Sequence, residues 1–106
     1  MLVDLDTVTA IGMVVAELVS NSYEHAFGAE GGHIRVDLAW TDVAGAAILT
    51  VHDTGASFVE KPTSKRHGVG LVRRLMQQVH GSAEMRSTGG TCWVLRFPAM
   101  VPNAVA

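Results

Sequence analysis

The feature that most constrains this chain is a repeated change in the period of its apolar residues. From Asp6 or Thr7, either of which can cap a helix, to about Phe27, the apolar positions Ile11, Val14, Val15 and Leu18 follow helical spacing. Gly28 and the pair Gly31-Gly32 end that segment. Ile34, Val36, Leu38 and Trp40 then alternate with His33, Arg35, Asp37 and Ala39, the period of a half-buried strand. Ala46 to His52 reads as a second strand, more apolar on both sides and hence more central. Ala56 to His67 is polar, contains Pro62, and reads as a loop. Helical spacing returns in Val69 to Val79, with Leu71, Val72, Leu75, Met76 and Val79 along one stripe. Ser82 to Arg86 and Thr91 to Phe97 complete the chain as a hairpin turned at Gly89-Gly90. Both helices need a surface for an apolar stripe, and one sheet covered on one face provides it. The expected fold is α/β (α+β): a two-layer sandwich with a mixed or largely antiparallel sheet and the helices on one face.

The 106 residues fit a single domain spanning 1–106, without a repeat or linker. A net charge of −2 gives no case for nucleic acid as partner. Cys92 is the only cysteine, which excludes an internal disulfide and a cysteine-based zinc site, and its place in an apolar strand predicts a core residue. That single cysteine suits a reducing cytoplasm, the expected setting of the domain; no apolar run is long enough to span a membrane, so no membrane contact by this domain is expected, and an anchor of a parent protein would lie outside this chain. The five histidines lack metal-ligand spacing. Trp40 and Trp93 read as core or sheet-face residues rather than base-stacking platforms.

Three segments can carry chemistry. On the first helix, Glu17, Asn21, Glu24 and Gly28 share one narrow sector beside the apolar stripe. Asn21 offers an oxygen suited to a hard cation, and Glu17 a carboxylate able to orient or deprotonate a water. The competing reading is a solvated polar face. Asp53-Thr-Gly55 follows the central strand; its carboxylate can accept from an exocyclic amine, and Gly55 admits a flat ring. An ordinary strand-ending turn is the alternative. His67-Gly68-Val69-Gly70-Leu71 runs into a helix, whose free N–H groups and dipole favour phosphate. Neither a dinucleotide fingerprint nor a P-loop is present. Lys65 and Arg66, just before these glycines, are either phosphate contacts or solvated charges.

Taken in order, these segments resemble the ATP-binding (Bergerat) fold shared by histidine kinases, DNA gyrase, Hsp90 and MutL proteins. Glu17 to Phe27 resembles the family's N box, Asp53-Thr-Gly55 its first glycine box, and Gly68-Val-Gly70 its second, with Gly90-Thr91 before the last strand as a further likeness. The match extends from about Asp6 to Pro98, and its compactness is similar to that of short-lid bacterial sensor histidine kinases, including the HWE-like type. The resemblance implies Mg²⁺ on Asn21, a γ-phosphate-side orienting role for Glu17, adenine recognition by Asp53, Gly55 and Thr91, and a phosphate cradle at Gly68 and Gly70. It also implies nucleotide contacts from His25, Lys65, Arg66, Val69 and Leu71. ATP and Mg²⁺ are the expected cofactors. The expected partners are a histidine-bearing dimerisation domain and, through it, a response regulator of a two-component system. No segment reads as that domain's helical hairpin. The sequence departs from the family pattern at Ser57, where a second glycine is usual, and at Glu24, where many histidine kinases carry a basic residue. Two other functions compete: an anti-sigma-factor-type serine kinase, and a degenerate non-ATP-binding phosphotransferase or interaction module. The loop 56–67 is expected to act as a short lid ordered by nucleotide.

Overall fold

The computed structural model describes residues 1–22, 32–54, 68–86 and 90–101. Their elements run α1 (Leu5–Asn21), β1 (Ile34–Trp40), β2 (Ala46–Asp53), α2 (Gly68–Gln78), β3 (Ser82–Arg86) and β4 (Thr91–Pro98). The expected order of helices and strands is thus present. The helix start differs: the cap of α1 is Asp4, whose carboxylate accepts from the Thr7 amide at 2.7 Å. An acceptor three residues ahead of an orphan amide meets the capping geometry, and Thr7 itself is buried. The expected continuation of this helix to Phe27 lies outside the described residues.

The four strands form one sheet in the order β1-β2-β4-β3. Every pairing is antiparallel, the simpler of the two arrangements expected. The register places Ala47, Leu49 and Val51 of β2 beside Phe97, Leu95 and Trp93 of β4, all on one face. Val14 and Leu18 of α1 and Val69, Val72 and Met76 of α2 close over that face to make the core. Full burial of residues such as Leu95 and Met76 stabilises the fold by roughly 1.5–3 kcal/mol each. Helix α2 ends where His80 takes a left-handed conformation (φ 61°) and the Gly81 amide returns to Met76 O at 2.7 Å. A Cβ at Gly81 would collide with Arg96 O, so that turn requires glycine.

Five side chains, on three elements, sit differently from their sequence reading. Strand β1 is not half-buried: Val36, Leu38 and Trp40 are 48%, 56% and 43% exposed. They share the inner face with Val51, Leu49 and Ala47, but β1 is an edge strand and no described helix lies over it. Cys92 is half-buried rather than in the core, because the period of two turns it away from Trp93 onto the outer face. Leu71 is 39% exposed and falls outside the α2 stripe of Val69, Val72 and Met76. No described helix is long and apolar enough to cross a membrane.

Candidate functional site

One cleft, of about 360 Å³ out to its mouth, opens where α1 and α2 meet the ends of β2 and β4. Leu18, Val51, Val69 and Trp93 give it apolar walls, and Asn21, Ser22, Asp53 and Thr91 supply its polar atoms. A mostly apolar cavity with a few convergent polar groups is the usual form of a small-molecule site. Flat apolar walls with a carboxylate at one edge suit a heteroaromatic ring that carries an amino group.

Asp53 is the chemical centre of this cleft. It ends β2 on the inner, helix-facing side, at 4% exposure. A carboxylate so deeply placed requires donors. The Ser22 hydroxyl donates to Oδ2 at 2.8 Å from the end of α1, and the Thr91 amide donates to Oδ1 at 3.2 Å from the start of β4. Among the described residues no buried side-chain nitrogen or oxygen lacks a partner. The Thr91 amide reaches Asp53 because Gly90 (φ 123°) brings β4 against the Asp53 backbone; a Cβ on Gly90 would overlap Asp53 O. The adjoining backbone is tied by Thr54 N to His33 O and His33 N to Thr54 Oγ1, both 3.1 Å.

The helix residues follow from the α1 stripe. Leu18 packs inward at 2% exposure, and Asn21, one turn on, is half-buried at the cleft. Glu17 is half-buried on the same helix, one turn before Asn21, and does not line the cleft. At the other wall, Gly68 begins α2 and Val69 lines the cleft. Gly70 is exposed, with no atom within 4 Å of where a Cβ would stand. Of the residues singled out in the sequence, Asn21, Asp53, Val69 and Thr91 therefore converge, whereas Leu71 points to solvent. His25, Gly55, Lys65 and Arg66, with Glu24, Ser57 and the loop 56–67, lie outside the described residues.

Four residues that line the cleft, Leu18, Ser22, Val51 and Trp93, were not site residues in the sequence reading. Ser22 follows Asn21 directly, and nothing in its spacing marks a partner 31 residues away. Trp93 is buried as expected, yet it also forms a wall of the cleft; its inward position opposite Val51 in the β2–β4 register was the available signal. No group of three metal-ligating side chains occurs among the described residues. Asn21 alone offers one hard oxygen, which fits a cation that completes its shell with water and phosphate oxygens.

Comparison with known proteins agrees with this geometry. A family model described as histidine kinase-, DNA gyrase B-, and HSP90-like ATPase matches residues 6–101. The sensor histidine kinase PdtaS of Mycolicibacterium smegmatis is 38% identical over 109 residues, which cover 90% of this chain and 20% of that protein. PdtaS of Mycobacterium tuberculosis is 39% identical with the same coverage. The chain thus spans about a fifth of the length of the curated relatives it matches. The histidine kinase domain of the Erythrobacter litoralis EL346 blue-light activated histidine kinase superposes with a TM-score of 0.76 at 26% identity, covering 91% of this chain and 46% of that one.

Proposed function

The chain belongs to the family of histidine kinase-, DNA gyrase B- and HSP90-like ATPases, and from that premise we propose that it is the ATP-binding catalytic domain of a bacterial two-component sensor histidine kinase. The observation that carries the proposal is the buried Asp53 carboxylate at the base of an apolar cleft with Asn21 on its rim. A carboxylate accepts from the exocyclic amine of adenine and repels the keto oxygen of guanine. Leu18, Val51, Val69 and Trp93 would enclose the ring, and Gly55 would let the backbone approach it. The phosphates would then extend along Asn21 toward the N-terminus of α2, where the free amides of Gly68, Val69 and Gly70 favour negative charge. Lys65, Arg66 and His25 would add charge and donors there. Mg²⁺, when bound by Asn21 Oδ1 and phosphate oxygens, would neutralise developing charge during phosphoryl transfer. Glu17, beside Asn21, would orient the incoming nucleophile.

The names of the relatives point to histidine as the acceptor. In this reading the acceptor lies on a separate dimerisation domain, the phosphoryl group passes onward to a response regulator, and the domain works in the cytoplasm. The test uses γ-labelled ATP with the isolated chain and with the chain fused to the histidine-bearing hairpin of a PdtaS-type kinase. The isolated chain should label none of its five histidines, and the fusion should acquire acid-labile label on the hairpin histidine. Acid-stable label on serine would contradict histidine specificity and favour a serine kinase.

A further inference from the structure

We propose that the free edge of β1 is an interface for a second copy of this chain, joined by antiparallel pairing of the two β1 strands about a two-fold axis at Val36. The sheet has two edges, β1 and β3, and they are protected unequally. β3 is five residues long, carries Glu84 and Arg86, and packs Ala83 and Met85 against the core. β1 is seven residues long, contains neither proline nor lysine, and pairs with β2 without a bulge. Its inner face leaves Val36, Leu38 and Trp40 exposed. A long, regular edge with an exposed apolar face is a template for another strand.

Charge complementarity selects both the partner and the register. His33 O accepts from Thr54 N, and Thr41 N donates to Ala46 O, so the odd-numbered residues of this segment turn their backbone groups toward β2. Successive residues point these groups to opposite sides. Ile34, Val36, Leu38 and Trp40 therefore turn theirs to the open edge, where no described strand pairs with them. A two-fold pairing must set these residues opposite one another. Centred on Arg35 or on Asp37, such a pairing brings like charges face to face. Centred on Val36, it sets Arg35 of each copy opposite Asp37 of the other on the outer face. Arg35 and Asp37 already lie 2.8 Å apart within one copy, so four charges of alternating sign would adjoin. On the inner face the same register sets Ile34 opposite Leu38, and Trp40 opposite Gly32, which has no side chain to obstruct the indole. Opposite charges and apolar pairs across strands stabilise a sheet, and like charges destabilise it.

The register makes the test specific, and it does not depend on what the cleft binds. Arg35 and Asp37 are exposed and line no part of the cleft, so reversing either charge leaves the core and the site intact. Sedimentation equilibrium over a concentration series gives the dimer dissociation constant. The parent chain should dimerise reversibly. Arg35→Asp and Asp37→Arg each set like charges opposite one another at both symmetric positions, and each should raise the dimer Kd at least about ten-fold. Mixed in equal amounts, the two variants meet as Asp–Arg pairs at both positions, and a heterodimer about as tight as the parent dimer should form. Recovery in the mixture separates a register-specific pairing from a general loss of folding or solubility. A parent chain that stays monomeric at about 1 mM overturns the proposal. So do single variants that dimerise as the parent does, or a mixture that fails to associate more tightly than either variant alone.

Discussion

Asp53 and Gly90 show how much of this site depends on single residues. A buried carboxylate is costly unless donors replace water, and one of the donors here exists only because Gly90 holds φ at 123° beside Asp53 O. Any side chain at Gly90 would meet that carbonyl in a backbone conformation that L residues rarely adopt. Gly90→Ala should therefore destabilise the domain by roughly 1–3 kcal/mol, read as a lower urea midpoint with unchanged m-value, and should weaken nucleotide binding in the molecules that remain folded. A stability equal to that of the parent protein would show that the β4 entry tolerates a Cβ. At this scale the sequence was informative where chemistry was local. Asp53 was legible because Asp-Thr-Gly closes an apolar strand, and Asn21 because it shares with Glu17 a narrow helix sector beside the apolar stripe. Ser22 was not legible, since a serine acquires a role only through a partner that the fold brings from another strand.

At the scale of elements, the hydrophobic period located every described helix and strand, because each must present its apolar residues to one core. It misjudged β1, where alternation is present and cover is absent. The inner face of an edge strand is buried only if a helix reaches over it, and that depends on tertiary placement rather than on the pattern of the strand. It also misplaced the start of α1, since Asp4, Asp6 and Thr7 are all acceptable caps by residue type. The observed cap has a pH signature. The Thr7 backbone amide holds the Asp4 carboxyl below its ordinary range. A lowered folded-state value means that the cap's stabilisation is complete above the ordinary carboxylate range and is lost as pH falls through the lowered value. Asp4→Ala should therefore melt below the parent protein at neutral pH, and the gap should narrow between about pH 5 and pH 2. A gap independent of pH would show that Asp4 does not cap α1 as a carboxylate.

At the scale of the whole molecule, the cleft is a product of convergence. Segments separated along the chain line one cleft: the end of α1, the end of β2 and the start of β4 bring its polar residues, and the start of α2 brings Val69 to its apolar wall. The antiparallel order β1-β2-β4-β3 makes this possible by setting Asp53 directly beside Thr91, while the helix layer leaves the cleft open at one end of the core. In the proposed function, this domain holds a nucleotide and presents its terminal phosphate to another domain. The central claim is that this cleft takes Mg-ATP by recognising its base at Asp53. Calorimetric titration of Mg-ATP into the chain and into Asp53→Asn tests it most directly. The account predicts saturable one-to-one binding to the parent protein that Asp53→Asn weakens by at least about ten-fold; no binding to the parent, or equal affinity in the two proteins, would contradict it.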